Sequence, residues 1–381
     1  MAIRGELIDD SASLDRFVDQ WDELAVAARQ PYCSPGWMLT WWRHAAPKGA
    51  KLRVALALED ERLVGIAPLF AERSRAGLVR LRPLAAGTAA RLGPVALAGR
   101  EQEAAAALGA ALAGARPAAG VIALDEVEPG WQWPELLGGA WPRGGASIER
   151  YGELPAPLVE LDAGGFDEWL QSKSGNFRQQ VRRGRRKLEG VGASWRVSTE
   201  GEQVRRDLEA FARLHSARWS GRGGSQALNA GTDRFLAEAA ERLGGARFRV
   251  YSIDIEERPI SAQVFVSAGD ELSYWNGGFD ESFAAHRPAL QTLVWAIEDA
   301  FGRGERRMDL GAGAQDYKYR LATGEQKLEF ARVVPPGRLN RLQLVPERAR
   351  RVASERLTDQ QKDRVRRLLR RSPAGEAGGG S

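Results

Sequence analysis

Residues 308–320 read Met308-Asp309-Leu310-Gly311-Ala312-Gly313-Ala314-Gln315-Asp316-Tyr317-Lys318-Tyr319-Arg320. A short apolar strand ends in an acid, turns through Gly-Ala-Gly-Ala and enters a segment carrying Tyr-Lys-Tyr. Glycines at 311 and 313 admit a backbone or ligand where a side chain would block it. The tyrosines then stand just past a strand end, where open sheets usually bind ligands.

The elements around this stretch are legible. Phe248 to Ile255, Ile260 to Ser267 and Leu272 to Phe279 alternate and are separated by Glu256-Glu257-Arg258-Pro259 and Ala268-Gly269-Asp270, which predicts a three-strand antiparallel meander. Pro288 suits a first helical turn, and Leu290, Leu293, Val294, Ile297 and Phe301 recur at helical spacing until Gly302. Upstream, Ala193–Ser198 reads as a strand, followed by helices around Val204–Leu214 and Phe235–Leu243, with Thr232 as the N-cap of the second. Downstream, Lys327–Val334 is a final strand. The order is strand, two helices, three antiparallel strands, helix, strand, helix, strand.

That order, with the glycine-tyrosine segment in its place, resembles the GNAT acyltransferases, in particular the CelD/BcsL-type group tied to polysaccharide synthesis, with the Fem-type transferases as relatives. The residues that carry the resemblance are Phe177-Arg178, Arg182-Arg183, Arg185-Arg186-Lys187-Leu188, Asp309, Gly311, Gly313, Tyr317 and Lys318. Trp21, Pro31, Trp37, Trp41-Trp42 and Gly65-Ile66-Ala67-Pro68-Leu69 add an N-terminal signature.

The chain is also doubled. Residues 53–70 (RVALALEDERLVGIAPLF) lie over 249–266 (RVYSIDIEERPISAQVFV) without a gap, and Arg53/Arg249, Val54/Val250, Glu61/Glu257 and Arg62/Arg258 are identical. A fixed offset suggests two copies of one supersecondary unit. The fold expected is therefore α/β, of the mixed-sheet α+β kind, with tandem GNAT-like domains. These are a degenerate half over 1–153 and an acyltransferase half over 158–336, joined at Leu154-Pro155-Ala156-Pro157. A basic helical tail over 341–371 and a disordered end over 372–381 follow. The first half lacks a Gly-x-Gly turn and a Tyr-Lys after its strand Val121–Val127, so the chemistry belongs to the second.

Composition sets the background. Cys33 is the only cysteine, which excludes an intramolecular disulfide and favours a reducing cytoplasm. The N-terminus shows no signal-peptide core, and the apolar stretch 104–115 is too short to span a bilayer. Three histidines, one cysteine and no HExxH spacing argue against a metal site. A net charge of +5 does not imply nucleic acid.

Two basic clusters rise above this background. Between Lys173 and Lys187 lie seven positive charges and no acid. Arg182, Arg183 and Arg186 are the substrate-binding candidates, since charges this dense repel unless an anion compensates them; a solvated face is the other reading. The tail from 348 to 371 carries ten positive charges and only a thin apolar stripe, as a solvated helix or one lying on anionic membrane.

The resemblance implies acyl transfer from acetyl-CoA or another acyl-CoA to an amine or hydroxyl of a polysaccharide or cell-envelope precursor, in the cytoplasm or at the inner membrane face, without a metal. It implies Tyr317 as the acid for a leaving thiolate, with Asp309 or His286 as base or orienter. Trp275, Asn276, Gly311 and Gly313 would line the donor gap, with Arg287 near its phosphates and Lys318 either there or capping the fold through an ion pair. The usual glycine-rich pyrophosphate loop is replaced by Ala284-Ala285-His286-Arg287-Pro288-Ala289-Leu290. Two alternatives stay open: a Fem-type aminoacyltransferase using aminoacyl-tRNA, the one route by which nucleic acid would be a partner, and a catalytically inactive scaffold subunit of exopolysaccharide assembly.

Overall fold

The computed structural model describes residues 3–337 apart from 74–76, 143, 162–163, 221–227 and 229. The tail expected over 341–371 and the end over 372–381 lie outside the described residues. Met1–Pro335 forms one compact unit.

The first half runs β1 (Ile3–Ile8), α1 (Val18–Ala27), α2 (Pro35–Ala45), β2 (Lys51–Glu59), β3 (Arg62–Arg73), β4 (Val79–Pro83), β5 (Val95–Ala96), α3 (Glu101–Gly114), β6 (Val121–Val127), α4 (Trp133–Gly139) and β7 (Ser147–Glu160). The second runs α5 (Gly165–Ser172), α6 (Gly175–Gly190), β8 (Ser194–Ser198), α7 (Gly201–Ser220), α8 (Thr232–Leu243), β9 (Phe248–Ile255), β10 (Arg258–Ala268) and β11 (Glu271–Phe279). It closes with a 3₁₀ turn (Glu281–His286), α9 (Pro288–Arg303), β12 (Arg307–Asp309), α10 (Asp316–Leu321) and β13 (Gly324–Val334). The mixed α/β class, the meander and the helix from Pro288 are as the sequence indicated.

All strands join one 13-stranded sheet in the order β1-β2-β3-β4-β6-β13-β7-β12-β11-β10-β9-β8, with β5 beside β3. Read from both ends, β1 matches β8, β2 matches β9, and so on inward to the central antiparallel pair β13 and β7. Each half thus lends its last strand to the other. The stretch Leu154-Pro155-Ala156-Pro157, read as a joint, is in fact the interior of β7. There the Pro155 and Pro157 carbonyls accept the N–H groups of Gly313 and Leu310.

The two hairpins foreseen from the 53/249 offset share their register. Val54 faces Pro68 as Val250 faces Val264, and Leu52 faces Phe70 as Phe248 faces Val266. Even the bulge repeats, at Val64 in one and Ile260 in the other. Asp60 in one turn and Glu256-Glu257 in the other adopt positive φ, as a tight hairpin requires.

Two helical layers cover the sheet. The apolar stretch 104–115 falls in α3, whose alanines allow contact so close that a Cβ on Gly5 would lie 2.2 Å from the Ala107 carbonyl oxygen. On the other half, α7 presses on β11: a Cβ on Gly278 would lie 2.5 Å from the His215 nitrogen. Between the halves, Trp37 of α2 packs edge-on to Phe235 and Trp275, with centroids 4.6 and 5.9 Å away. The signature tryptophans are therefore core.

Gly278→Ala should drive α7 from the sheet and destabilise the fold by about 1–3 kcal/mol. Gly302→Ala, in α9 with nothing within 4 Å of the added carbon, should stabilise it by about 0.5–1 kcal/mol. Thermal unfolding of both variants checks the pair; a neutral Gly278→Ala would refute the tight α7–β11 contact.

Candidate active site

β11 and β12 run parallel but pair only over Glu271↔Arg307, Leu272↔Met308 and Ser273↔Asp309. Beyond Asp309 the chain leaves β11 and bonds to β7, with Leu310 N–H at 3.2 Å from the Pro157 carbonyl and Gly313 N–H at 2.7 Å from that of Pro155. β11 continues to Phe279, so an opening forms between its second half and the turn 310–315. β11 also bulges at Trp275, between the pairs Val264↔Asn276 and Phe265↔Tyr274.

The turn is laced by buried charge. Asp309, 2% exposed, accepts from the Gly311 N–H at 3.0 Å and takes the Arg91 guanidinium on both oxygens, at 3.0 and 3.2 Å. Burial would raise this carboxyl, but Arg91 and the Gly311 N–H overcome it and hold the group below the usual carboxylate range. Asp309 is therefore an anchor engaged by Arg91 and Gly311, which argues against the base, of the two roles, base or orienter, that the resemblance implied. Lys318 is buried and donates to the Gly311 and Ala312 carbonyls at 2.9 and 2.8 Å. Burial pushes its ammonium down to about 8. It secures the turn, where the sequence reading had placed it near donor phosphate. Gly311 and Gly313 adopt φ of +79° and +108°, which glycine alone takes without strain.

Arg91 was not singled out in the sequence. It comes from the first half, 4% exposed, and also bonds Glu128 and Gln326 at 3.0 Å each. Glu128 in turn accepts from Arg307 at 2.7 Å, and Arg307 donates to Glu271 at 2.5 Å. Five charged groups from both halves thus alternate in sign beneath the opening. The only signal in the sequence was an isolated arginine in a Gly/Ala-rich loop, indistinguishable from dozens of others.

Above the turn, α10 presents Tyr317 inward and Tyr319 outward. Tyr317 is half-buried and its phenol interacts with that of Tyr274 of β11. Burial raises the Tyr317 phenol above its ordinary value, while Tyr274 and the nearby Arg218 pull the other way. Tyr319 is 44% exposed and donates to Glu325. Arg218 lies 5.1 Å above the Phe279 ring, at the end of β11.

The other candidates are dispersed. Trp275 turns away from the opening: its indole N–H donates to the Thr88 carbonyl at 2.9 Å and its ring packs on Phe211 and Trp37. The bulge explains this, since one extra residue reverses the side-chain alternation locally. Asn276 bends back to its neighbour's N–H, Gly277, at 2.9 Å. His286 sits in the 3₁₀ turn beside Phe283, its Nδ1 buried without a partner, and among the described residues no hydrogen bond or ring contact joins it to Tyr317 or Asp309. Arg287 is exposed at the start of α9 with φ of +54°. Arg182, Arg183 and Arg186 are exposed on α6, which touches α10 where Arg320 bonds Gln180.

Residues 175–319 match the model of the acetyltransferase (GNAT) domain. Among solved structures the chain is similar to FemX, with a TM-score of 0.57 and 14% identity over 86% of this chain and 96% of that one. It is also similar to the C-terminal domain of a putative lysylphosphatidylglycerol synthetase from Agrobacterium fabrum, with a TM-score of 0.55 and 14% identity over 87% of this chain and 95% of that one. A third is L-PGS from Bacillus licheniformis, with a TM-score of 0.53 and 11% identity over 89% and 96%. No curated protein sequence matches the chain. Residues 175–319 thus match the acetyltransferase (GNAT) domain, and the chain shares its fold with FemX and the other two structures.

Arg91→Met should cost about 3–5 kcal/mol, because it leaves Asp309 charged and unpaired in the interior. Wild-type stability from this pair is present above the unfolded carboxyl pKa and is lost as pH falls through the lower folded value. The deficit of the variant should therefore shrink below about pH 4. Denaturant unfolding across pH checks both; a variant deficit that is constant with pH would rule out Asp309 as its source.

Proposed function

We propose that the opening between β11 and β12 receives the acyl end of acyl-CoA, acetyl-CoA foremost, and that the protein transfers this group to an amine or hydroxyl of a polysaccharide or other cell-envelope precursor in the cytoplasm. The observation that carries the reading is the Tyr274–Tyr317 hydroxyl pair at the point where the two strands part. Their phenols face one another there, and burial raises both above their ordinary value, so Tyr317 is protonated at neutral pH.

The acyl carbonyl would lie against a backbone N–H of β11 beyond Ser273, which stabilises the charge that develops on oxygen. A lone pair of the acceptor adds to the carbonyl carbon, and collapse of the adduct breaks the carbon–sulfur bond. Tyr317 gives its proton to the departing thiolate and regains one, through solvent, from the acceptor. Gly311 and Gly313 keep the wall of the opening free of side chains. His286 and Arg287 stand at the start of α9, where amide N–H groups would meet donor phosphates.

One observation favours a second donor. α9 opens on Arg287 in the left-handed conformation and Pro288, with no glycine loop to wrap a pyrophosphate. An aminoacyl-tRNA needs no such loop, and one neighbour is named for lysylphosphatidylglycerol synthesis. Turnover with acetyl-CoA in the absence of tRNA separates the two donors.

If CoA esters bind here, they should raise the melting temperature by mass action, and Arg287→Glu should lose most of that shift. The absence of a shift with any CoA ester at saturating concentration would turn the reading to the tRNA donor.

Tyr317→Phe keeps the ring but removes the acid, and should lower kcat about a hundredfold to ten-thousandfold. Its stability should fall by only about 1 kcal/mol, the net worth of one hydroxyl contact with Tyr274. Tyr319→Phe, on the solvent side of α10, should turn over normally. Steady-state kinetics of the two variants decide: normal turnover by Tyr317→Phe would remove the tyrosine from the mechanism.

A further inference from the structure

The basic helix α6 has a use that catalysis leaves open. Its buried stripe is Phe177, Val181, Gly184 and Leu188. At 3.6 residues per turn, Arg182, Arg183 and Arg186 fall on the opposite side, together with Gln179. All three arginines are exposed and make no ion pair among the described residues. Arg185 on the same helix shows the contrast, holding Glu298 at 3.3 Å and Glu189 at 3.4 Å.

The helix is held rigidly in spite of the repulsion. Ser174 caps it by accepting the Phe177 N–H at 3.2 Å, and Gly184 lets Gln291 of α9 approach to where a Cβ would lie 2.3 Å from its amide nitrogen. The positive face is thus preformed.

Its shape selects the partner. The outer side of a helix is convex, so it cannot enclose a small anion and strip its water. It gains only against an extended, anionic surface. No aromatic side chain lies on this face, so unpaired bases would find no ring to stack on. Lipid headgroups need none: they are mobile and adjust to a convex patch. Position adds to charge, because α10, which carries Tyr317, is fastened to the same helix by Arg320, whose guanidinium lies 5.1 Å above Phe177 and bonds Gln180.

We propose that the outward face of α6 docks the protein peripherally on an anionic lipid surface, which brings the β11–β12 opening to an acceptor held at the membrane. The location of the acceptor rests on the acyl-transfer reading; the docking itself does not.

The test is co-sedimentation of the full chain with vesicles of phosphatidylcholine alone or mixed with phosphatidylglycerol. The protein should pellet with the mixed vesicles only, and less so as salt is raised. Each charge removed should weaken partitioning about fivefold, so R182Q/R183Q/R186Q should lose on the order of a hundredfold. R182K/R183K/R186K, which keeps the charge, should bind as wild type and guards against a folding defect. The proposal is overturned if the glutamine variant pellets like wild type, if pure phosphatidylcholine binds equally well, or if the lysine variant also loses binding. It is equally overturned if the glutamine variant keeps vesicle binding and instead loses retention of tRNA, which would make the face a nucleic-acid surface. Tyr317→Phe should pellet normally, so a failure of the catalytic reading and a failure of docking are seen separately.

Discussion

A guanidinium from one half and a carboxylate from the other meet in the interior, and the geometry of the opening hangs on that pair. Arg91 and Asp309 are both almost fully buried, and taking two such charges out of water is costly unless every lone pair and N–H finds a partner. Here most do: Arg91 makes four hydrogen bonds, to Asp309 twice and to Glu128 and Gln326, and Asp309 also receives the Gly311 N–H. The carboxylate fixes the start of the turn and Lys318 its two carbonyls. β12, only three residues long, could not hold that position by pairing alone.

The doubling of the chain explains where Arg91 comes from. In the first half, β4 and β6 part as β11 and β12 do, after pairing at Arg80↔Val121 and Leu81↔Ile122. There the parting is filled: Arg91 N–H bonds the Glu126 carbonyl at 2.9 Å, and the Trp131 ring presses on Gly93, where a Cβ would lie 2.3 Å away. The plug that closes one opening extends its side chain to brace the other. Exchange of β7 and β13 places the two openings side by side in one sheet, so the loss of a site in one copy supports the site in the other.

Much of the second half was legible before any coordinates. Alternation gave the meander, helical spacing gave α9, and the 53/249 offset foretold a hairpin repeated down to its register. The misreadings share a cause. Leu154-Pro155-Ala156-Pro157 looked like a linker because proline is read as a breaker, yet the stretch lies inside β7. The resemblance placed Trp275 and Asn276 at the opening, and a bulge at Trp275 turns that side chain toward Thr88. Asp309 looked like a catalytic group and Lys318 like a phosphate contact because a sequence shows a charge without its partner.

What the sequence by itself determined is local: element type follows from periodicity, the Gly-Ala-Gly turn from φ angles only glycine takes freely, and the repeat from identity at a fixed offset. Tertiary structure alone decided which charges are spent on one another. Arg91 and Asp309 stand 218 positions apart, and a Coulomb interaction acts over a few ångströms of space with no regard to separation along the chain. Only the folded sheet, with its two halves exchanged strand for strand, brings them within reach.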